Sequence, residues 1–227
     1  MAKNTIMQVK SFIFNDFREI TYIVFDETTH QGIIIDPGCN KPSEQKRLTG
    51  FIEKNNIELT AIVNTHGHLD HICGNKFVKE TYQIPIYIHQ KELSNLESAP
   101  LHAEFYGFSF EPSPLPDQFI KEGDTITFGH STLHIVETPG HTEGSISLLS
   151  PQKEALFSGD VLFKGSIGRT DLPGGDLDVL LSTLKNKILT LPDTTTIFPG
   201  HGYETTVGEE IKTNPFLTEL VNEKREL

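Results

Sequence analysis

Apolar and polar residues alternate over residues 6–14 (IMQVKSFIF), and an apolar run returns over 20–26 (ITYIVFD), with Asn15-Asp16 between them. This strand-type patterning, punctuated by turn residues, predicts an antiparallel hairpin. Ile33-Ile34-Ile35 predicts a third strand, which stops at the turn signal Asp36-Pro37-Gly38. The spacing then changes. Leu48, Phe51 and Ile52 recur at helical distance within residues 43–55, with Ser43 as a candidate N-cap. A strand over 60–64, a helix over 75–82, a short strand over 84–88 and a short helix over 90–96 follow by the same reasoning.

Residues 97–118 break the pattern. Four prolines and several aromatic residues follow no period there, which predicts a long ordered loop. Strand patterning resumes at 119–121, 125–128, 132–137, 145–149 and 154–158. Leu177, Leu180, Leu181, Leu184 and Ile188 mark an amphipathic helix over 176–191. A strand over 195–198 follows, then one or two helices over 209–224 broken at Pro215. Strands, helix, strand and helix thus occur twice. The expected fold is α/β, a four-layer αββα sandwich of two mixed β-sheets flanked by helices. No composition shift marks a linker, so residues 1–227 are expected to form a single domain.

Charge narrows the partners. Thirty-one acidic residues against nineteen basic ones give a net charge of −12. A nucleic-acid partner is not expected, because phosphate backbones select a basic footprint. Two cysteines, Cys39 and Cys73, do not make a disulfide framework. The N-terminal residues lack the apolar core of a signal peptide, and no run of about 18 apolar residues predicts a membrane span. A cytoplasmic location is the expectation, and the charge pattern leaves the oligomeric state open.

The chemistry concentrates at TAIVNTHGHLDH, residues 60–71. A short apolar strand ends there and delivers His66, His68, Asp70 and His71 into its terminal loop. Three further stretches repeat the device, each placing a ligand-type residue directly after a glycine that follows an apolar strand. These are His141 in Thr138-Pro139-Gly140-His141, Asp160 in Ser158-Gly159-Asp160 and His201 in Pro199-Gly200-His201. Five histidines and two aspartates are the inventory for two divalent ions, zinc first, with iron or manganese also suited to these donors. A carboxylate shared between ions about 3.5–4 Å apart would stabilise a bridging hydroxide. Asp160, alone at its own strand end, is the natural bridge.

The motif His66-Gly67-His68-Leu69-Asp70-His71, followed in order by His141, Asp160 and His201, resembles that of the metallo-β-lactamase-fold hydrolases over nearly the whole chain. The resemblance implies one ion on His66, His68 and His141, a second on Asp70, His71 and His201, and Asp160 joining both. Asp70 and Asp160 would then be the catalytic carboxylates. Asp160-Val161-Leu162-Phe163, Gly168-Arg169-Thr170-Asp171 and Asn214-Pro215-Phe216 look like the glyoxalase II-related branch. The chain is similar to the short members of that branch, without the helical C-terminal domain that shapes the glutathione pocket of typical glyoxalase II. The implied activity is hydrolysis of a small thioester, such as S-lactoylglutathione, by a metal-bridging hydroxide. Arg169 is the first candidate for a substrate carboxylate and Lys164 the second. The alternative is a mononuclear iron persulfide dioxygenase, which shares the fold and the Gly168–Asp171 segment. Acidic charge argues against a nuclease, and Asp at 160 argues against a lactamase, where Cys is common at that place. Asp36 is a candidate to orient a ligand imidazole, and Cys73 is read as a buried thiol.

Overall fold

In the computed structural model, which describes residues 7–217, the chain builds two six-stranded sheets packed face to face. The first contains β1 (Met7–Phe14), β2 (Glu19–Asp26), β3 (Gln31–Ile35), β4 (Glu58–Val63), β5 (Ile86–Ile88) and β6 (Gln118–Phe119), adjacent in that order. The first three pair antiparallel, and β3 to β6 pair parallel. After β7 (Thr125–Phe128), β8 (Ser131–Glu137), β9 (Ile146–Ser150) and β10 (Ala155–Gly159), a small hairpin intervenes, β11 (Leu162–Phe163) with β12 (Ser166–Ile167). The second sheet is completed by β13 (Thr196–Pro199) and β14 (Thr205–Thr206), in the order β14-β13-β10-β9-β8-β7. Only β10 and β13 pair parallel there. Both sheets are therefore mixed.

Strand alternation distributes the core among three layers. In β3, Ile33 and Ile35 point between the sheets, where they meet Leu133, Leu148 and Phe157, while Ile34 points outward. The outward face of the first sheet is covered by α1 (Pro42–Lys54) and α3 (Asn75–Tyr82) through Leu48, Ile52 and Val78. Between them α2 (Leu69–Ile72) is a single turn inside the ligand loop. The outward face of the second sheet is covered by α5 (Leu177–Thr183), which runs on as a π-helical turn over Leu184–Ile188, and by α6 (Val207–Thr213). The expected αββα layering is what the chain adopts.

Three local expectations give way. The N-terminus of α1 is not capped by Ser43: Lys41 occupies the cap position, Pro42 opens the helix, and the Glu44 carboxylate accepts from the amides of Asn40 and Lys41. The stretch expected as loop over 97–118 begins as a helix, α4 (Leu93–Tyr106), with Pro100 inside it. Leu96, Ala99 and Ala103 bury one stripe of α4 against Leu69, Ile72 and Ile88, and that packing outweighs the proline's missing amide. Finally, α6 starts at Val207 with Thr206 accepting from the Glu209 amide, and the expected helix beyond residue 217 lies outside the described residues. Among the described residues no helix is long and apolar enough to cross a membrane.

Candidate metal centre

Parallel pairing places the ligand-bearing loops side by side. Ile35 pairs with Val63, so Asp36 and the loop after β4 leave the first sheet together, and the Asp36 amide donates to the Val63 carbonyl at 3.1 Å. Gly159 pairs with Pro199, so Asp160 and His201 leave the second sheet together. Three contacts fasten the two sheets at this edge. The Ile146 amide donates to the Thr65 carbonyl at 2.9 Å, the Ile20 amide to the Gly200 carbonyl at 2.8 Å, and the Tyr22 hydroxyl to the Pro199 carbonyl at 2.7 Å.

The seven residues singled out from the sequence converge here. His66, His68 and His141 form one group of potential ligands, and Asp70, His71 and His201 form another. His141 Nε2 lies 2.9 Å from His68 Nδ1, and His201 Nε2 lies 3.1 Å from Asp70 Oδ2 and 3.3 Å from His71 Nε2. Asp160 sits between the groups: its Oδ2 is 3.7 Å from His141 Nε2 and 3.5 Å from His201 Nε2, and its Oδ1 is 3.4 Å from His71 Nε2.

The surrounding hydrogen bonds select the tautomers. Asp36 accepts the Thr65 amide on Oδ1 at 2.7 Å, and the Thr65 hydroxyl on Oδ2 at 2.6 Å. With its proton spent on Asp36, the Thr65 hydroxyl faces His66 Nδ1 at 3.0 Å as an acceptor. The Nδ1 proton of His66 points there, which turns the Nε2 lone pair towards the cluster. His71 Nδ1 lies 3.0 Å from the same Asp36 carboxylate, and His141 Nδ1 donates to the Arg169 carbonyl at 2.7 Å. His66, His71 and His141 thus each present Nε2 to the cluster. Asp36, His66 and His71 also form a third close group, but both Asp36 oxygens are already engaged, so Asp36 orients rather than ligates.

Two buried polar atoms in the cluster have no hydrogen-bond partner: His66 Nε2 and Asp160 Oδ1. Orphaned buried acceptors are costly, and a divalent cation bound by imidazole and carboxylate donors satisfies both. Electrostatics agree with that fit at His66, His68 and Asp160, while, against their burial, the surrounding aspartates hold His71 and His201 above the usual imidazole range. Burial, reinforced by the neighbouring imidazoles, pushes His66 well below the usual imidazole range and His68 down to about 3, so both are neutral donors. Burial alone would raise the Asp160 carboxyl, but His71 and His201 hold it well below the usual carboxylate range.

A cavity of about 530 Å³ opens onto the cluster. Its walls are largely apolar (Phe17, Phe105, Tyr106, Phe163 and Leu172), with His102, Asn95 and Ser166 adding polar points. Arg169 lines the cavity, yet its guanidinium forks onto Asp171 at 2.7 and 2.8 Å. Lys164 is exposed in the β11–β12 turn, next to Phe163 of the cavity wall, and is not itself among the lining residues. Cys73 is buried with its thiol 3.2 Å from the Gly38 carbonyl, apart from the imidazole groups. Sequence reading passed over Thr65 and Glu92. The contacts of Glu92 depend on residues remote in the chain, and only Thr65, adjacent to His66, lay next to a visible signal.

Comparison with known proteins gives the same frame. The profile of the metallo-beta-lactamase superfamily matches residues 16–201. Hydroxyacylglutathione hydrolase GloC of Haemophilus influenzae is 36% identical over 213 residues, covering 93% of this chain and 98% of that protein. Among solved structures, BLEG-1 B3 metallo-beta-lactamase superposes with a TM-score of 0.84 at 35% identity, covering 93% of this chain and 100% of that one. TTHA1623 in a di-iron-bound form gives 0.83 at 36%, covering 92% and 100%. ETHE1 from Myxococcus xanthus gives 0.76 at 27%, covering 97% and 87%.

Proposed function

The chain belongs to the metallo-beta-lactamase superfamily of metal-dependent hydrolases, and on that premise we propose that it hydrolyses a small thioester of the hydroxyacylglutathione type. The observation that carries the reading is the position of Asp160 between two complete three-residue groups, with His66 Nε2 and Asp160 Oδ1 otherwise unpartnered. His66, His68 and His141 would hold one divalent ion and Asp70, His71 and His201 the other, with Asp160 touching both. When bound, such ions supply an activated water nucleophile at neutral pH and Lewis acidity for the acyl carbonyl. Zinc is the first choice and iron, as in the di-iron relative, the second.

The remaining work falls to the chain's own side chains. Asp36 and the Arg169 carbonyl keep the imidazoles of His71 and His141 with Nε2 turned to the cluster. Asp70, partly exposed in the cavity lining, is placed to orient the nucleophile as well as to ligate. The apolar wall of Phe17, Phe105, Tyr106, Phe163 and Leu172 excludes water around the acyl group, and Arg169 at the rim takes a substrate carboxylate. A thiolate leaves readily, so no strong general acid is needed. Residues 1–227 acting as one domain is part of this proposal.

The second reading is a mononuclear iron persulfide dioxygenase. The likeness to ETHE1 is consistent with it, and because that reading keeps the same ligand residues and leaves some of them without metal, the metal count separates the two where the residue count does not. One experiment separates them: metal content per chain, measured together with hydrolysis of S-lactoylglutathione, oxygen uptake on glutathione persulfide, and turnover of a chromogenic β-lactam. Two ions and thioester cleavage are expected. One iron with oxygen uptake, or β-lactam turnover without thioester cleavage, would overturn the hydrolase reading.

A further inference from the structure

Glu92 is fully buried, yet it has no place in the ligand set. Its carboxylate accepts four hydrogen bonds. Oε2 accepts from the Gly67 amide at 2.7 Å and from Asn95 Nδ2 at 2.7 Å. Oε1 accepts from the Thr142 hydroxyl at 2.6 Å and from the Gly144 amide at 2.9 Å. Four donors match the capacity of an ionised carboxylate, which donates nothing itself. Gly67 lies between His66 and His68, and Thr142 directly follows His141. One side chain on the turn before α4 therefore ties together the two separate loops that carry the His66, His68 and His141 imidazoles. The fit is close, since a Cβ on Gly144 would come within 2.7 Å of Glu92 Oε1.

We propose that Glu92 is a positioning residue that presets the His66/His68/His141 shell for its metal ion. The proposal rests on the reading of those histidines as metal ligands. It is selective by geometry. Asp70, His71 and His201 accept nothing from Glu92 and give nothing to it; Asp36 holds His71 directly and reaches His66 only through Thr65. Without the carboxylate, the first shell has to be assembled by the ion at the expense of ordering two loops, so affinity falls at that site alone. Glu92→Gln keeps the shape but sets an amide N–H against a donor, so at least one of the four bonds is lost.

Zinc is titrated into the metal-free protein against a chromophoric chelator, with thermal melts of the metal-free forms run alongside. Wild type is expected to take two ions. Glu92→Gln is expected to weaken one of them roughly 10- to 100-fold and leave the other unchanged. The same change placed in a His201→Ala background should remove the one tight site that remains. A purely structural role would instead lower the melting temperature and disturb both sites alike. Thr142→Val and Thr142→Ser provide a milder pair should Glu92→Gln not fold: Val should weaken the same ion, and Ser, which retains the hydroxyl, should restore it. Two wild-type affinities in Glu92→Gln, or in Thr142→Val, overturn the proposal while leaving the metal reading intact. Wild-type protein that takes up no zinc overturns both.

Discussion

Asp36 Oδ2 lies 3.0 Å from His71 Nδ1, and both side chains are buried. The carboxylate follows β3 and the imidazole follows β4, so parallel pairing brings together residues 35 positions apart. The same carboxylate reaches His66 through Thr65. Asp36→Ala is therefore expected to lower zinc affinity roughly 10- to 100-fold without removing a ligand. His66→Ala removes a ligand and should abolish hydrolysis in metal-replete protein. Equilibrium dialysis with activity on S-lactoylglutathione checks both, and Asp36→Ala with wild-type affinity would refute the orienting role.

Gly200 packs directly behind the Asp160 carboxylate. A Cβ there would come within 2.2 Å of Asp160 Oδ1 and 2.7 Å of His71 Cε1. Gly200→Ala should displace Asp160 or His71 and reduce bound metal below two ions per chain. Overpacking of this kind costs about 1–3 kcal/mol of stability, which a denaturant titration of the metal-free protein reads.

Arg169 is half-exposed at the cavity rim and bound to Asp171. An exposed pair of this type contributes little to folding. Arg169→Ala is expected to raise KM for an anionic thioester about tenfold at nearly constant kcat, since it removes a contact made equally in the ground and transition states. Asp171→Ala, which frees the guanidinium, should lower KM. An unchanged KM in both variants would remove Arg169 from the substrate site.

Glu19 is fully buried, and its carboxyl stands well above the usual carboxylate range, chiefly through burial. The hydrogen bonds around it agree. Thr21 has one hydroxyl proton, directed to the Asp36 carbonyl at 2.8 Å, and the Thr21 hydroxyl oxygen accepts from the Gly38 amide at 2.9 Å. Glu19 Oε2, 3.0 Å from that hydroxyl, then fits as a protonated donor. A folded-state value above the unfolded one contributes stability at low pH that is lost as pH rises towards the folded value, by about 1.4 kcal/mol per pH unit in that window. Glu19→Gln keeps a donor and removes the titration. Metal-free Glu19→Gln should gain on wild type in thermal melts as pH rises above the ordinary carboxylate range. A difference independent of pH would count against a protonated Glu19.

Much of this protein was legible along the chain because the signals are local. Period-two runs such as Ile33–Ile35 and helical spacing at Leu48 and Ile52 mark elements whose buried faces follow from backbone geometry alone. The ligand types at 66, 68, 70, 71, 141, 160 and 201 announce themselves through side-chain chemistry, each at the end of an apolar run. What stayed hidden depends on neighbours remote in sequence. α4 looked like a loop because Pro100 and the aromatics obscure a stripe, Leu96, Ala99 and Ala103, that becomes meaningful only against Leu69 and Ile88. The tautomers of His66 and His71 are set by Asp36, and the two loops bearing the first imidazole group are joined by Glu92. Donor chemistry belongs to single residues and can be read in order. Preorganisation belongs to pairs that parallel strands and packed loops bring together, so tertiary structure alone decided which lone pairs face the cavity and how firmly they are held.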